Sequence, residues 1–362
     1  MAWLMPCSPK QLSTRGSRQA RRRDRLLAAW LTADDNGKGA SMSEARFQPV
    51  ADLLDPWRED VLSGKPPTLY PIGTGELARV EIGPGLVTLI GGAPGQGKTG
   101  LTVQMLIDAL MLTPSLKALA CNVEMSPSTL LDRQLALLAG IDLTLIRYRR
   151  LTAEHSEAIQ RGTGALESLA ERLAFVRPPY DLANVARSAD AFGADLLLLD
   201  YIQRIGAHGE HADRRGAVDA TMSSLRQFAD AGVAIVVVAA LARSKDAKGR
   251  SSYNDGLSLA SFRETSELEY GADDAFILAP GEDDGGDGAP SSRVILKHLK
   301  SRHGESRDIP LTFDRKHQRF TPAEPPETGK TGRKRDSGKL HSALQALWNQ
   351  SRVANDSEGE EP

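Results

Sequence analysis

The stretch LVTLIGGAPGQGKTG, Leu86 to Gly100, decides the fold. Its first five residues make a mostly apolar run of strand length. Gly92, Gly97, Lys98 and Thr99 then fit G-x-x-x-x-G-K-[ST], directly ahead of an apolar helical pattern. That spacing has a chemical reason. Glycines let the loop Gly92, Ala93, Pro94, Gly95, Gln96 and Gly97 turn its backbone N–H groups inward around phosphate oxygens. The first turn of the next helix, through Gly100, adds the positive end of the helix dipole, Lys98 reaches the β- and γ-phosphates, and the Thr99 hydroxyl binds magnesium. The ligand implied by such a loop is ATP with Mg2+.

Outward from the loop, strand and helix signals alternate. Further strand candidates are ALACN (118–122), LAFV (173–176), DLLLLD (195–200), AIVVVA (234–239) and AFIL (275–278). Helical spacing runs between them, as in Val218, Met222, Leu225 and Phe228. This is the βαβ rhythm of an α/β fold, a mostly parallel central sheet flanked by helices. Past Ala279 the rhythm changes. The acidic, glycine-rich GEDDGGDGAP is followed by RVILKHLK and IPLTFD, which read as a closing C-terminal β-hairpin.

Two carboxylates stand where such a sheet presents its ligand crevice. Asp200 ends the leucine run 196–199, and burial there is costly unless the carboxylate has a partner such as a metal ion. With a phosphate loop about a hundred residues upstream, Thr99 and Asp200 are the expected magnesium ligands. Glu124, just past ALACN, is placed to orient or deprotonate a water, while the following MSPST offers Ser126 as a helix cap with Pro127 in the first turn.

Composition narrows the class. The 362 residues are 40% hydrophobic and 25% charged, which is ordinary for a globular chain. A formal charge of −2 gives no global attraction to nucleic acid, so such contacts must come from local basic loops. Two cysteines, Cys7 and Cys121, cannot form a disulfide framework and suit a reducing cytosol. No apolar run is long enough to span a membrane, so the expected location is cytoplasmic. Residues 1–41, with RGSRQARRRDR, read as a disordered segment or a misassigned start ahead of Met42, and the same composition also fits an organelle transit peptide. Residues 322–362 have linker composition and then one apolar stripe, Leu340, Leu344, Leu347 and Trp348, on a short tail helix.

The segments CNVEMS, LLLLDYIQRI, LARS, SFRETSELEYGADD and KSRHG occur in the order and spacing of the DnaB-type replicative helicases of superfamily 4. The chain resembles the C-terminal RecA-like motor domain of that family over residues 68–321. The resemblance implies that Glu124 is the catalytic base, that Asp200 is the magnesium-side carboxylate, and that Gln203 links the nucleotide and DNA sites. It implies that Arg263 and Glu264 lie on a loop tracking the phosphates of a single strand, with Ser266 where the family has glycine. Lys300 and Arg302 resemble the pair that one subunit inserts into its neighbour's nucleotide site to neutralise phosphoryl charge. Residues 42–67 would supply the linker helix that reaches that neighbour, and the family's primase-docking N-terminal domain has no room ahead of Leu86.

One departure stands out. The γ-phosphate-sensing glutamine of the family falls at Ala240, whose side chain can make no hydrogen bond. The expected activity is therefore an ATP-driven helicase or translocase, a homo-oligomeric hexameric ring on single-stranded or forked DNA, with a helicase loader as a further partner. Two other readings stay open, a nucleotide-switched ring that recruits partners without unwinding and a RecA-like ATPase that does not bind DNA.

Overall fold

The computed structural model describes residues 48–207, 213–242, 244–245, 251–252, 256–262, 267–281 and 291–323. Residues 1–41 and the tail stripe from Leu340 to Trp348 lie outside them.

Side-chain alternation across the pleat builds the layers. Strands β1 (Val87–Gly92), β2 (Ala118–Asn122), β3 (Leu173–Phe175), β4 (Leu196–Asp200) and β5 (Ala234–Ala240) pair in parallel in the order β1-β5-β4-β2-β3, and β8 (Asp274–Pro280) adds in parallel to the other side of β1. Ile90, Leu196, Leu198, Val236 and Val238 face one core layer, Leu89, Leu197, Leu199, Ile235 and Val237 the other, and all are buried. Burial on both faces is why these strands read as continuous apolar runs rather than alternating ones.

Helices cover both faces. On one side lies α2 (Lys98–Leu112), whose Leu101, Met105 and Leu106 are buried. On the other lie α6 (Leu182–Phe192) and α7 (Arg214–Asp230), and the sequence-predicted stripe Val218, Met222, Leu225 and Phe228 packs inward from α7. Between β2 and β3, α3 (Pro127–Ala139), α4 (Leu143–Arg147) and α5 (Ser156–Glu167) form a small satellite core around Ala136, Ile141 and Ile146. Ser126 caps α3, accepting the Thr129 N–H at 3.2 Å, with Pro127 in the first turn.

The expected hairpin is present and has a third strand. After β8 the chain turns back as β9 (Ser291–Ser301), β10 (Ile309–Asp314) and β11 (Arg319–Pro322), all antiparallel. A two-stranded ribbon, β6 (Ser244–Lys245) and β7 (Ser251–Ser252), lies outside the main sheet. β11 is fastened to α2: the Gln104 carboxamide donates to the Phe320 carbonyl and accepts its N–H, both at 2.8 Å, and Phe320 stacks on Phe313 at 4.1 Å.

One carboxyl at this seam is out of balance. Burial pushes Asp108 of α2 up to about 6, against hydrogen bonds from Gly73 and Gln104 and the charge of Arg319, which pull it down. The folded value lies above the ordinary 3.8, so the neutral acid is the form the fold favours. Its stabilising contribution is complete below pH 3.8 and is lost as pH rises through about 6. Asp108→Asn should therefore flatten the fall in stability across that window and raise stability at neutral pH by up to about 3 kcal/mol. Urea midpoints measured on both sides of the window test this, and parallel curves for variant and parent would exclude Asp108 as the source.

Candidate active site

The phosphate loop joins β1 to α2 at the carboxyl end of the sheet. Gly97, the residue before α2, has φ 93° and lies so close to Phe320 and Phe313 that an added Cβ would sit 2.9 Å from the Phe320 ring. Only glycine meets both conditions. Gly91 is similarly pinned, with 2.6 Å between a notional Cβ and Phe262. Lys98 Nζ donates to the Gly92 carbonyl at 2.7 Å and the Ala93 carbonyl at 3.0 Å, which keeps the ammonium over the loop.

Two strands away from β1, Asp200 closes the site. The Thr99 hydroxyl donates to its Oδ2 at 2.6 Å and the Asn122 amide to the same oxygen at 2.8 Å. Asn122 in turn accepts the Glu124 and Met125 N–H groups at 3.0 and 2.7 Å, so one side chain orients Asp200 and folds the turn that carries Glu124. The Asn ending an otherwise apolar ALACN strand was the available signal for this residue, and sequence reasoning passed over it.

The charges act on one another here. Burial holds Asp200 above the usual carboxylate range; the Thr99 hydrogen bond opposes this, Glu124 adds to it, and Lys98 and Arg133 oppose it more weakly. Burial likewise lowers Lys98, opposed by Asp200 and Glu124. Arg133 of α3 is lowered by burial and by Arg147, with Asp200 pulling the other way. Loop, both carboxylates and a previously unmarked arginine thus share one electrostatic neighbourhood.

Gln203 lies in the turn after β4 with its carboxamide on the Ala240 backbone, accepting the N–H at 3.1 Å and donating to the carbonyl at 3.4 Å. Ala240 pairs with Gly92, so the position of the absent glutamine is at the loop itself. Lys300 and Arg302 are elsewhere. Lys300 pairs with Ala275, and Arg302 N–H bonds the Asp273 carbonyl beside the start of β1, at the amino end of the parallel strands. About five strand residues, roughly 16 Å, separate that end from Gly92. Arg263, Glu264 and Ser266 lie outside the described residues.

A family model described as the DnaB-like helicase C-terminal domain matches residues 81–322. The chain belongs to this family. No curated protein matches it. Among solved structures, one described as an ATPase domain is similar with a TM-score of 0.64 and 18% identity, covering 77% of this chain and 100% of that one. A DnaB-like replicative helicase, solved in a study of its interactions with primase, has a TM-score of 0.62 and 15% identity over 87% of this chain and 80% of that one. These likenesses establish the RecA-like fold of the DnaB-like domain. As a member of its family, the domain is an ATP-hydrolysing enzyme, a helicase motor. No helix among the described residues is long and apolar enough to cross a membrane.

The donor set at Thr99 and Asp200 fits magnesium. Both offer hard oxygens, and Mg2+ in nucleotide sites is held by one or two protein oxygens with phosphate oxygens and water completing the shell. A bound cation would also offset the burial that raises Asp200. Asn122→Ala removes the amide that orients this carboxylate. It should lower Mg-dependent ATP turnover about 10- to 100-fold, the usual cost of losing such an outer contact. A magnesium titration of steady-state ATPase checks this, and an unchanged profile would show that Asn122 serves the turn alone.

Proposed function

We propose that the DnaB-like domain hydrolyses Mg-ATP between subunits of a hexameric ring and moves on single-stranded DNA. The observation carrying the nucleotide half is the Thr99–Asp200 hydrogen bond at 2.6 Å beneath the phosphate loop, with Glu124 close enough to perturb both Asp200 and Lys98. Residues 92–100 would hold the phosphates, Thr99 and Asp200 would hold a magnesium ion, and Glu124 would take a proton from the attacking water. When bound, that ion would supply positive charge against the charge of the phosphoryl group. Gln203, clasped to the Ala240 backbone, ties the turn after β4 to the end of β5.

Two features support the ring. Lys300 and Arg302 stand too far along β1 to serve their own loop, which favours presentation to a neighbour. The second is α1 (Val50–Leu62), which has no buried residue and leaves Val50, Leu53, Leu54, Trp57, Val61 and Leu62 exposed. These apolar positions follow helical spacing, the pattern of a helix that lies in a partner's groove. We assign residues 42–67 to that reach, 68–321 to the motor, and Arg263, Glu264 and Ser266 to the DNA strand.

Lys98→Ala should abolish ATP binding, whereas Glu124→Gln should bind ATP normally and lose turnover about 100-fold or more. Single-strand stimulation of ATPase and strand displacement on a fork, measured together, test the whole reading. Near-parental turnover in Glu124→Gln would remove it as base, and ATPase indifferent to DNA would remove the DNA assignment.

The alanine at position 240 favours a second reading, a ring that hydrolyses ATP and recruits partners without unwinding. If the missing side chain weakens coupling, Ala240→Gln should raise strand displacement per ATP consumed. An equal or lower ratio in a folded variant argues that coupling does not run through this position.

A further inference from the structure

The two cations at the amino end of the sheet are held in different ways. Lys300 Nζ donates to the carbonyls of Glu269 at 2.6 Å, Ala272 at 2.7 Å and Tyr270 at 3.4 Å, so its three N–H groups serve the last turn of α8 (Glu267–Gly271) and the residue beyond. An ammonium has three donors, and all three are engaged. Arg302 meets Asp273 through Nη1 at 2.7 Å and the Tyr270 carbonyl through Nη2 at 3.2 Å. A guanidinium has five N–H groups, so this leaves Nε–H and one hydrogen on each Nη without a partner among the described residues. The Arg302 side chain is 44% exposed and Asp273 2%.

Asp273 is the fixed point of this arrangement. Its Oδ2 accepts the Val87 N–H at 2.8 Å and pairs with Arg226 Nη1 at 2.7 Å, while its backbone bonds Val87 and Arg302. Arg226 is itself tied to Asp230 at 2.9 Å and to the Gly85 carbonyl. Arg226 is shared between Asp230 and Asp273, so Arg302 completes the charge balance of the buried Asp273 while Asp273 in turn holds one side of its guanidinium.

We propose that Asp273 is the positioning residue of Arg302 and that Lys300 fixes the turn carrying both contacts. Arg302 is then the group that offers free N–H donors to the phosphate of a neighbouring subunit's nucleotide. The inference rests on the reading that this pair works across the subunit interface. It goes beyond a finger role for the pair by naming Asp273 as the residue that holds Arg302 in place. Holding one edge of a guanidinium leaves the other edge at a set angle, which is what bidentate phosphate recognition requires.

Complementation in mixed rings tests it on the full chain. If Asp273 positions Arg302, Asp273→Asn should cut single-strand-stimulated kcat by roughly 10- to 100-fold, as misplacement of a reacting-site group does, with ATP affinity nearly unchanged. After subunit exchange it should recover activity with Glu124→Gln, which supplies an intact Arg302, and recover nothing with Arg302→Ala. A purely structural role at the start of β1 would damage the variant's own phosphate loop and reverse both results, overturning the proposal. The Arg302→Ala and Glu124→Gln mixture is the control. If that pair shows no recovery, the cross-interface reading fails and takes this inference with it. If the control recovers and Asp273→Asn falls in the wrong group, the inference alone fails. Should Asp273→Asn not fold, Asp273→Glu takes its place in the same two mixtures, because it keeps the carboxylate but moves it relative to Arg302. Recovery with Glu124→Gln alone supports the proposal, and recovery with Arg302→Ala alone overturns it.

Discussion

A carboxylate buried at the end of an apolar strand constrains everything around it. Asp200 sits 3% exposed behind four leucines, and such a group is costly unless donors converge on it. The Thr99 hydroxyl and the Asn122 amide supply them from two other segments. That convergence requires the crossing order that seats β4 between β5 and β2, with β1 one strand further. It also requires α2 to begin at Lys98, so that the residue after the lysine faces the carboxylate. The glycine at 97 follows from the same demand, because the helix must start where two phenylalanines leave no room for a Cβ.

The sheet has a second buried carboxylate at its other end, and the contrast is informative. Asp273 is met by a backbone N–H and two guanidinium groups, so its charge is answered within the chain. Asp200 has two neutral donors on one oxygen, Lys98 and Arg133 act on it only weakly, and burial still holds it raised, so a bound cation would complete its compensation. One site is finished by the fold, and the other is the one that the proposed ion would complete.

Much of this could be read from the residues. The phosphate loop, the apolar strands, Asp200 and the stripe on α7 are local patterns whose spacing follows from strand and helix geometry. β11 could not be read that way, since the four residues RFTP end in proline and are held as a strand by Gln104, more than two hundred positions earlier. Asp273 was invisible for the same reason: its partners Val87, Arg226 and Arg302 come from three separated segments, and no periodicity brings them together. Asn122 was visible as a polar strand end, but its two-way role needed the turn at Glu124 to be seen. Lys300 and Arg302 were marked by resemblance, and the different bonding of the two emerged only from which carbonyls each one meets.

The polarity of β1 has a consequence for assembly. Its carboxyl end carries the phosphate loop and its amino end abuts the cationic pair, so under the cross-subunit contact proposed above each chain would have a donor face and an acceptor face at opposite poles. Two such chains related by a two-fold axis would set like pole against like and complete no shared site. Contacts that join unlike poles are heterologous, and they close into a ring or run on as an open helix. On that proposal an open stack would end in one loop without a neighbour's cations and one cationic pair without a loop. Closure would remove both loose ends, so the catalytic yield per chain would rise with the length of a stack and reach its maximum when the first and last subunits meet.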